Sequence, residues 1–280
     1  MSNKYYVVPS HAEIYNKFRP SPPQQLAKRL VNYLTEKVTP ELLEQAVDIG
    51  CGGGQSTEIL APYFKKVLGF DASEAQIIAA TRKNKFKNIT YRVGNAEHIN
   101  CADSSVQLVT TCHACQYFDL PKFYAEVERV LTPGGVLCLY GYALPQPMCG
   151  DKQLSHIVNK FYCDTLEDYV FPHSKVVYLD KYTSSQYNNI PFVAEPLVRD
   201  EFVHVVPSVS VSDLVGYASS MSGFQNFKKQ VGAEKASQVL NNFQSEIMSA
   251  TELEGDAADI HLDIQYTYFL LMGRKSPAAS

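Results

Sequence analysis

The residues best placed to do chemistry are two carboxylates and the glycines between them. Val47-Asp48-Ile49 runs into Gly50-Cys51-Gly52-Gly53-Gly54. Asp71 follows twenty-one residues after Gly50, at the close of a second apolar run, Lys66-Val67-Leu68-Gly69-Phe70. A strand, a tight turn, a helix, a second strand and an acid make the layout of a nucleoside-binding βαβ unit. The glycines let the backbone turn sharply and let a ligand lie against bare main chain. An acid at the tip of the second strand can accept both hydrogen bonds of a ribose diol. The spacing departs from the dinucleotide fingerprint, because the glycines fill its first, third and fifth positions and Gln55 stands at the sixth. Asp48, two residues ahead of the first glycine, would oppose a pyrophosphate and suits a cationic ligand.

S-adenosylmethionine is such a ligand, carrying an ammonium and a sulfonium and no phosphate. Further segments agree. Val47 to Gly54 resembles the first motif of the class I S-adenosylmethionine-dependent methyltransferases, and Asp71 falls where that family places its ribose-binding acid. Gly94-Asn95-Ala96-Glu97 resembles the Gly-Asp-Ala-Glu pattern that follows strand three and borders adenine, with Asn95 in place of the acid. Leu131-Thr132-Pro133-Gly134-Gly135-Val136-Leu137 is similar to the turn before strand five. Four motifs in order over about a hundred residues make a specific match.

A narrower resemblance spans most of the chain. His11 to Pro20, followed by Pro22-Pro23, is similar to the opening motif of the trans-aconitate methyltransferase-like (methyltransferase type 11) branch. Ala114-Cys115-Gln116-Tyr117-Phe118-Asp119 resembles that branch's segment after strand four, with Gln116 and Tyr117 replacing His-Trp. Ser212 to Tyr217 and Ser220-Met221-Ser222 resemble a later stretch. The resemblance implies an α/β, Rossmann-like fold: a mostly parallel seven-stranded sheet flanked by helices, with a helical and irregular cap inserted after strand five. It implies that Asp48 and Gly50 hold the methionine end of the cofactor, with Gly52 and Gly54 shaping the turn. Asp71 would bind the ribose, and Asn95 and Ala96 would contact adenine. Tyr15 and Arg19 would fold over the site, Arg19 pairing with a carboxylate of cofactor or substrate.

Bulk composition bounds the partners. The chain has 280 residues, 45% hydrophobic and 19% charged, with a net charge of −4, which suits one domain of 1–280 with a cap. Nucleic acid calls for a basic face, so a small-molecule methyl acceptor is favoured over RNA or DNA. No apolar stretch approaches membrane-spanning length. The seven cysteines, an odd number, with no apolar leader at the start, point to reduced thiols and a cytoplasmic location. Cys112-His113-Ala114-Cys115 has a Cys-x-x-Cys spacing, but no second pair completes a metal site.

The elements that must position these residues follow from periodicity. We expect an opening segment over 1–21, a helix from Pro22 to about Lys37, and a cofactor-binding core over 44–142. The core's strands fall at about 45–49, 66–70, 89–93, 106–111 and 136–142, with helices at about 54–62, 73–83 and 120–131. Residues 143–258, tyrosine-rich and studded with proline, read as the cap and substrate region. They hold a strand at about 201–206 and helices near 212–219 and 234–249. A last strand lies within 259–275, and 276–280 reads as a frayed tail. Ligands of such sheets bind beyond the carboxyl ends of the strands. His113, just past strand four, is therefore the candidate general base, with Tyr142, His156 and His173 behind it. The expected activity is methylation of a small molecule, with O-methylation of a carboxylate or hydroxyl ahead of N- or S-methylation. A non-catalytic protein that binds S-adenosylmethionine is the competing class.

Overall fold

A computed structural model describes residues 14–15, 17–193 and 195–276. Residues 1–13, Asn16, Ala194 and 277–280, which include parts of the opening motif and of the tail, lie outside the described residues. Five strands form the parallel half of the sheet: β1 (Gln45–Ile49), β2 (Lys66–Asp71), β3 (Ile89–Val93), β4 (Val106–Cys112) and β5 (Leu131–Tyr142). They lie in the order β3-β2-β1-β4-β5. The reversal beside β1 is the topological switch that opens a crevice at the strand ends.

The helices between them are α1 (Gln24–Thr35), the single turn α2 (Gln55–Glu58), α3 (Glu74–Lys83) and α4 (Leu120–Val130). Alternation along β1 sorts the core into two layers. Ala46 packs with Leu26, Leu30 and Leu34 of α1 on one face, while Val47 and Ile49 pack with Phe123 and Val127 of α4 on the other. Burying a side chain of this kind contributes about 1.5–3 kcal/mol, so the two flanking layers hold the sheet rigid behind the crevice. Asp119 caps α4 and Ser73 caps α3, each accepting a backbone N–H three residues on. The helix expected over 54–62 is shorter. After Glu58 the chain continues as turns, because Pro62 has no N–H to return to the Glu58 carbonyl.

Beyond β5 come a hairpin of β6 (Gln146–Cys149) and β7 (Lys152–Gln153), then α5 (Ser155–Asn159), which runs into a π-helix over Lys160–Thr165. Next are α6 (Pro172–Tyr178), α7 (Ser185–Asn188), β8 (Val198–Ser210), α8 (Val211–Ser219), α9 (Ser222–Val231), α10 (Ala233–Thr251) and β9 (His261–Arg274). β9 runs antiparallel between β5 and β8. The sheet therefore has seven principal strands, and β6 and β7 add a short hairpin against the N-terminal half of β9. The expected strand at 201–206 is the middle of the thirteen-residue β8. Buried Arg274 ties the end of β9 to α1 by donating to the carbonyls of Leu34 at 3.2 Å and Gly134 at 2.8 Å. No helix among the described residues is long and apolar enough to cross a membrane.

Candidate functional site at the carboxyl ends of the strands

The glycine turn leaves β1 in a conformation that only glycine adopts freely. Gly50, Gly52 and Gly54 have φ of 71°, 51° and 91°. At Gly50 a side chain would also collide, since a Cβ there would stand 2.4 Å from the Cβ of Ala114. Gly54 is closed in the same way by the Tyr91 hydroxyl. A Cβ on Gly52 would meet nothing within 4 Å. The middle glycine thus faces open space, and its two neighbours are packed from behind.

Asp48 is fully buried. Its Oδ2 accepts from Ser56 Oγ at 2.7 Å and Thr57 Oγ1 at 2.8 Å, and its Oδ1 accepts from Thr110 Oγ1 at 3.0 Å. The carboxylate therefore clamps α2 and β4 to β1, and its charge acts on the crevice from behind the turn. Burial pushes its pKa up to about 6, against the pull of the three hydroxyls. Folding raises this acid's pKa, so the stability it contributes is present at low pH and is lost as pH rises through about 6. The Ser56-Thr57 pair, one residue past the glycines, was the sequence signal for this clamp.

Asp71 closes β2 as expected. Its Oδ2 accepts the Gly52 N–H at 2.9 Å and its Oδ1 the Ser73 N–H at 2.8 Å. A carboxylate has about four acceptor positions, so each oxygen keeps one for a further donor. That is the requirement of a ribose diol. Burial raises its pKa while the two N–H groups oppose the rise. Beyond β3, Asn95 is exposed and Ala96 is buried. The loop is anchored by Glu97 Oε1, which accepts the Asp119 N–H at 2.9 Å.

Arg19 lies at the heart of an aromatic enclosure. Only 7% exposed, its guanidinium donates to the hydroxyls of Tyr178 at 2.5 Å and Tyr217 at 3.0 Å. It also stands over the rings of Tyr15 and Tyr217, 5.0 and 4.5 Å from their centroids. Its main-chain oxygen is within 3.5 Å of Gln55 Nε2, which seats this segment against the glycine turn. Among the described residues no carboxylate pairs with it and its Nε has no hydrogen-bond partner. Arg19 is thus a buried cation held among tyrosines.

His113 follows β4 with φ 50°, and its ring lies 4.2 Å from that of Tyr142 and 5.2 Å from that of Tyr178. Its Nε2 accepts the Tyr142 N–H at 2.8 Å, so the ring proton is on Nδ1. Burial, reinforced by the charge of Arg19, lowers its pKa to about 3. A ring so held is neutral near pH 7 and has one nitrogen already occupied. Its place in the fold is that of a group positioning the β4 and β5 ends. Tyr142 lies in the same enclosure, and His173 stacks on Phe171 and meets Tyr117 edge-on at its rim. His156 is exposed on α5 and is not brought to the site. Local patterning could not reveal Tyr178 and Tyr217 as partners of Arg19, because they come from 159 and 198 residues away.

The glycine turn, the half-satisfied Asp71 and the unpaired Arg19 fit a ligand with a ribose and an anionic group. Comparison with known proteins agrees. Residues 47–139 match the family model described as a methyltransferase domain. A methyltransferase of Dictyostelium discoideum is 32% identical over 268 residues, covering 95% of this chain and 94% of that protein. An S-adenosylmethionine-dependent methyltransferase of Saccharomyces cerevisiae is 29% identical over 137 residues, 47% of this chain and 45% of that one. Among solved structures, a type II methyltransferase from Anaeromyxobacter dehalogenans superposes with a TM-score of 0.72 at 26% identity. That superposition covers 93% of this chain and 99% of the other. With a relative of this identity matched along nearly its whole length, the chain belongs to the S-adenosylmethionine-dependent methyltransferases.

Proposed function

We propose that the protein transfers a methyl group from S-adenosylmethionine to an oxygen of a small, carboxylate-bearing molecule. The observation that carries this reading is Arg19, a buried guanidinium with no carboxylate partner among the described residues. An unpaired buried charge costs several kcal/mol, and an anionic ligand would offset that cost. The odd set of seven cysteines keeps a cytoplasmic setting within the proposal.

Asp71 would hold the ribose, Asn95 and Ala96 would border adenine, and the turn of Gly50, Gly52 and Gly54 would lie under the amino-acid end, with the charge of Asp48 behind it. When bound, the cofactor supplies a methyl group on a positively charged sulfur. The remaining demand on the protein is alignment and exclusion of water, which the ring of tyrosines around Arg19 provides. A carboxylate acceptor arrives ionised and needs no base. Neutral His113, tied by Nε2 to the Tyr142 N–H, therefore orients the enclosure without taking a proton.

Two pH effects follow. The transfer rate on a carboxylic acid should show no limb near pH 6.5, the ordinary range of histidine. A limb there that disappears in His113→Asn would assign the ring as a base and overturn this role. Separately, S-adenosylmethionine carries one more positive charge than S-adenosylhomocysteine. Its affinity relative to that product should fall as pH drops below about 6 and Asp48 takes up a proton. Titrating both ligands at several pH values reads the ratio, and a flat ratio would remove Asp48 from the electrostatics of the site.

The acceptor class is tested with methyl-labelled S-adenosylmethionine and matched acids and amines of the same carbon skeletons. Label transfer to acids supports the proposal. Transfer to amines alone would shift the reading to an N-methyltransferase.

A further inference from the structure

We infer that Tyr162 is a specificity-determining residue whose hydroxyl hydrogen-bonds the methyl acceptor, at a second point beside Arg19. This rests on the acceptor reading given above. Tyr162 sits in the π-helix over Lys160–Thr165. A π-helical turn holds an extra residue, re-aims the side chains around it and recurs at functional sites. Here the turn sends Phe161 into the apolar core, where it meets Phe243 and Phe224, and sends Tyr162 towards the enclosure.

The Tyr162 ring stands edge-on to Tyr178, with centroids 5.6 Å apart, and Tyr178 is the residue whose hydroxyl accepts from Arg19. Arg19 and Tyr117 are both near enough to bias the ionisation of Tyr162. The side chain is 2% exposed, yet its hydroxyl has no hydrogen-bond partner among the described residues. A buried hydroxyl left so costs about 1–3 kcal/mol, and a phenylalanine would pack the same space without that cost. Thr111, Tyr140 and Tyr268 also bury unpartnered hydroxyls, but these belong to sheet strands. Ser155 Oγ on α5 is a further buried unpartnered hydroxyl on the cap, but it is Tyr162 that faces the same tyrosine as the guanidinium. Two unsatisfied polar groups in one enclosure, Arg19 Nε and Tyr162 Oη, match an acceptor with an anionic group and a second oxygen or nitrogen close by.

The test compares the wild-type chain with Tyr162→Phe in three measurements. Turnover is read with labelled S-adenosylmethionine on a panel of short-chain and aromatic mono- and dicarboxylic acids, cofactor affinity with S-adenosylhomocysteine, and stability from the ligand-free unfolding midpoint. For the best acid, KM should rise about tenfold, with kcat and product affinity nearly unchanged. The midpoint should stay level or rise, because an unsatisfied buried group has been removed. An unchanged KM, or a midpoint that falls because the hydroxyl was satisfied internally, overturns the assignment while the acceptor reading stands. If the wild type methylates no acid in the panel, the acceptor reading fails, and the assignment fails with it.

Discussion

Asp71→Ala should weaken S-adenosylhomocysteine binding by about a hundredfold or more. Hydrogen bonds to a charged group contribute about 1.5–3 kcal/mol each. The structure leaves Asp71 with one acceptor position per oxygen, so two such bonds to a ribose diol are at stake. Tenfold in affinity corresponds to about 1.4 kcal/mol, which makes a hundredfold the lower bound. The substitution does a second injury. Gly52 and Ser73 each give a backbone N–H to this carboxylate, at 2.9 and 2.8 Å, and both would lose it. The glycine turn would then be tethered to β2 through Phe70, whose carbonyl accepts from Gly50 and Cys51. Calorimetric titration of the variant measures the effect, and wild-type affinity in Asp71→Ala would mean that the ribose lies elsewhere.

The second large effect falls on stability. Gly50→Ala should lower the free energy of unfolding by about 3 kcal/mol or more, from two additive causes. A non-glycine residue in the left-handed region costs about 1–2 kcal/mol. Forcing a methyl into filled space costs a further 1–3 kcal/mol, typically, and here the new Cβ would stand 2.4 Å from that of Ala114. Ala114 cannot give way without moving the His113–Tyr117 segment. Gly52→Ala is the internal comparison. It has a similar left-handed backbone but nothing within 4 Å of its Cβ. It should lose only the backbone cost and remain folded, while its methyl intrudes on the face that receives the ligand. Urea unfolding of the two variants separates the cases, and equal midpoints would show that Ala114 does not enclose Gly50.

The cofactor half of the molecule was legible because its signals are local. β1 and β3 lie at the residues that the apolar runs indicated, and Asp71 ends β2 as the spacing from Gly50 required. Strand and turn chemistry there depend on neighbours a few residues apart. The cap was less legible for the opposite reason. The helix at Ser222–Val231 carries Phe224 and Phe227 inward against Phe161, Phe243 and Tyr169, and that face has meaning only once those residues are near. The π-helix around Tyr162 has no periodic signature at all. The enclosure of Arg19 is built from the opening segment, α6 and α8, so its tyrosines could be counted in the sequence but not placed. Asp48 was recognised as a site residue, and Ser56 and Thr57 stand close by in the chain, yet its bond from Thr110 requires β4 to lie beside β1. That pairing is a fact of topology, not of spacing.

The central claim is that the crevice over Gly50–Gly54 and Asp71 is where the cofactor binds. A crystal structure of the protein with S-adenosylhomocysteine tests it most directly. The account predicts both ribose hydroxyls at hydrogen-bond distance, about 3 Å, from the Asp71 carboxylate, with adenine beside Asn95 and Ala96 and the amino-acid end over Gly52. Density for the ligand at any other place, or a wild-type protein that binds none, would contradict it.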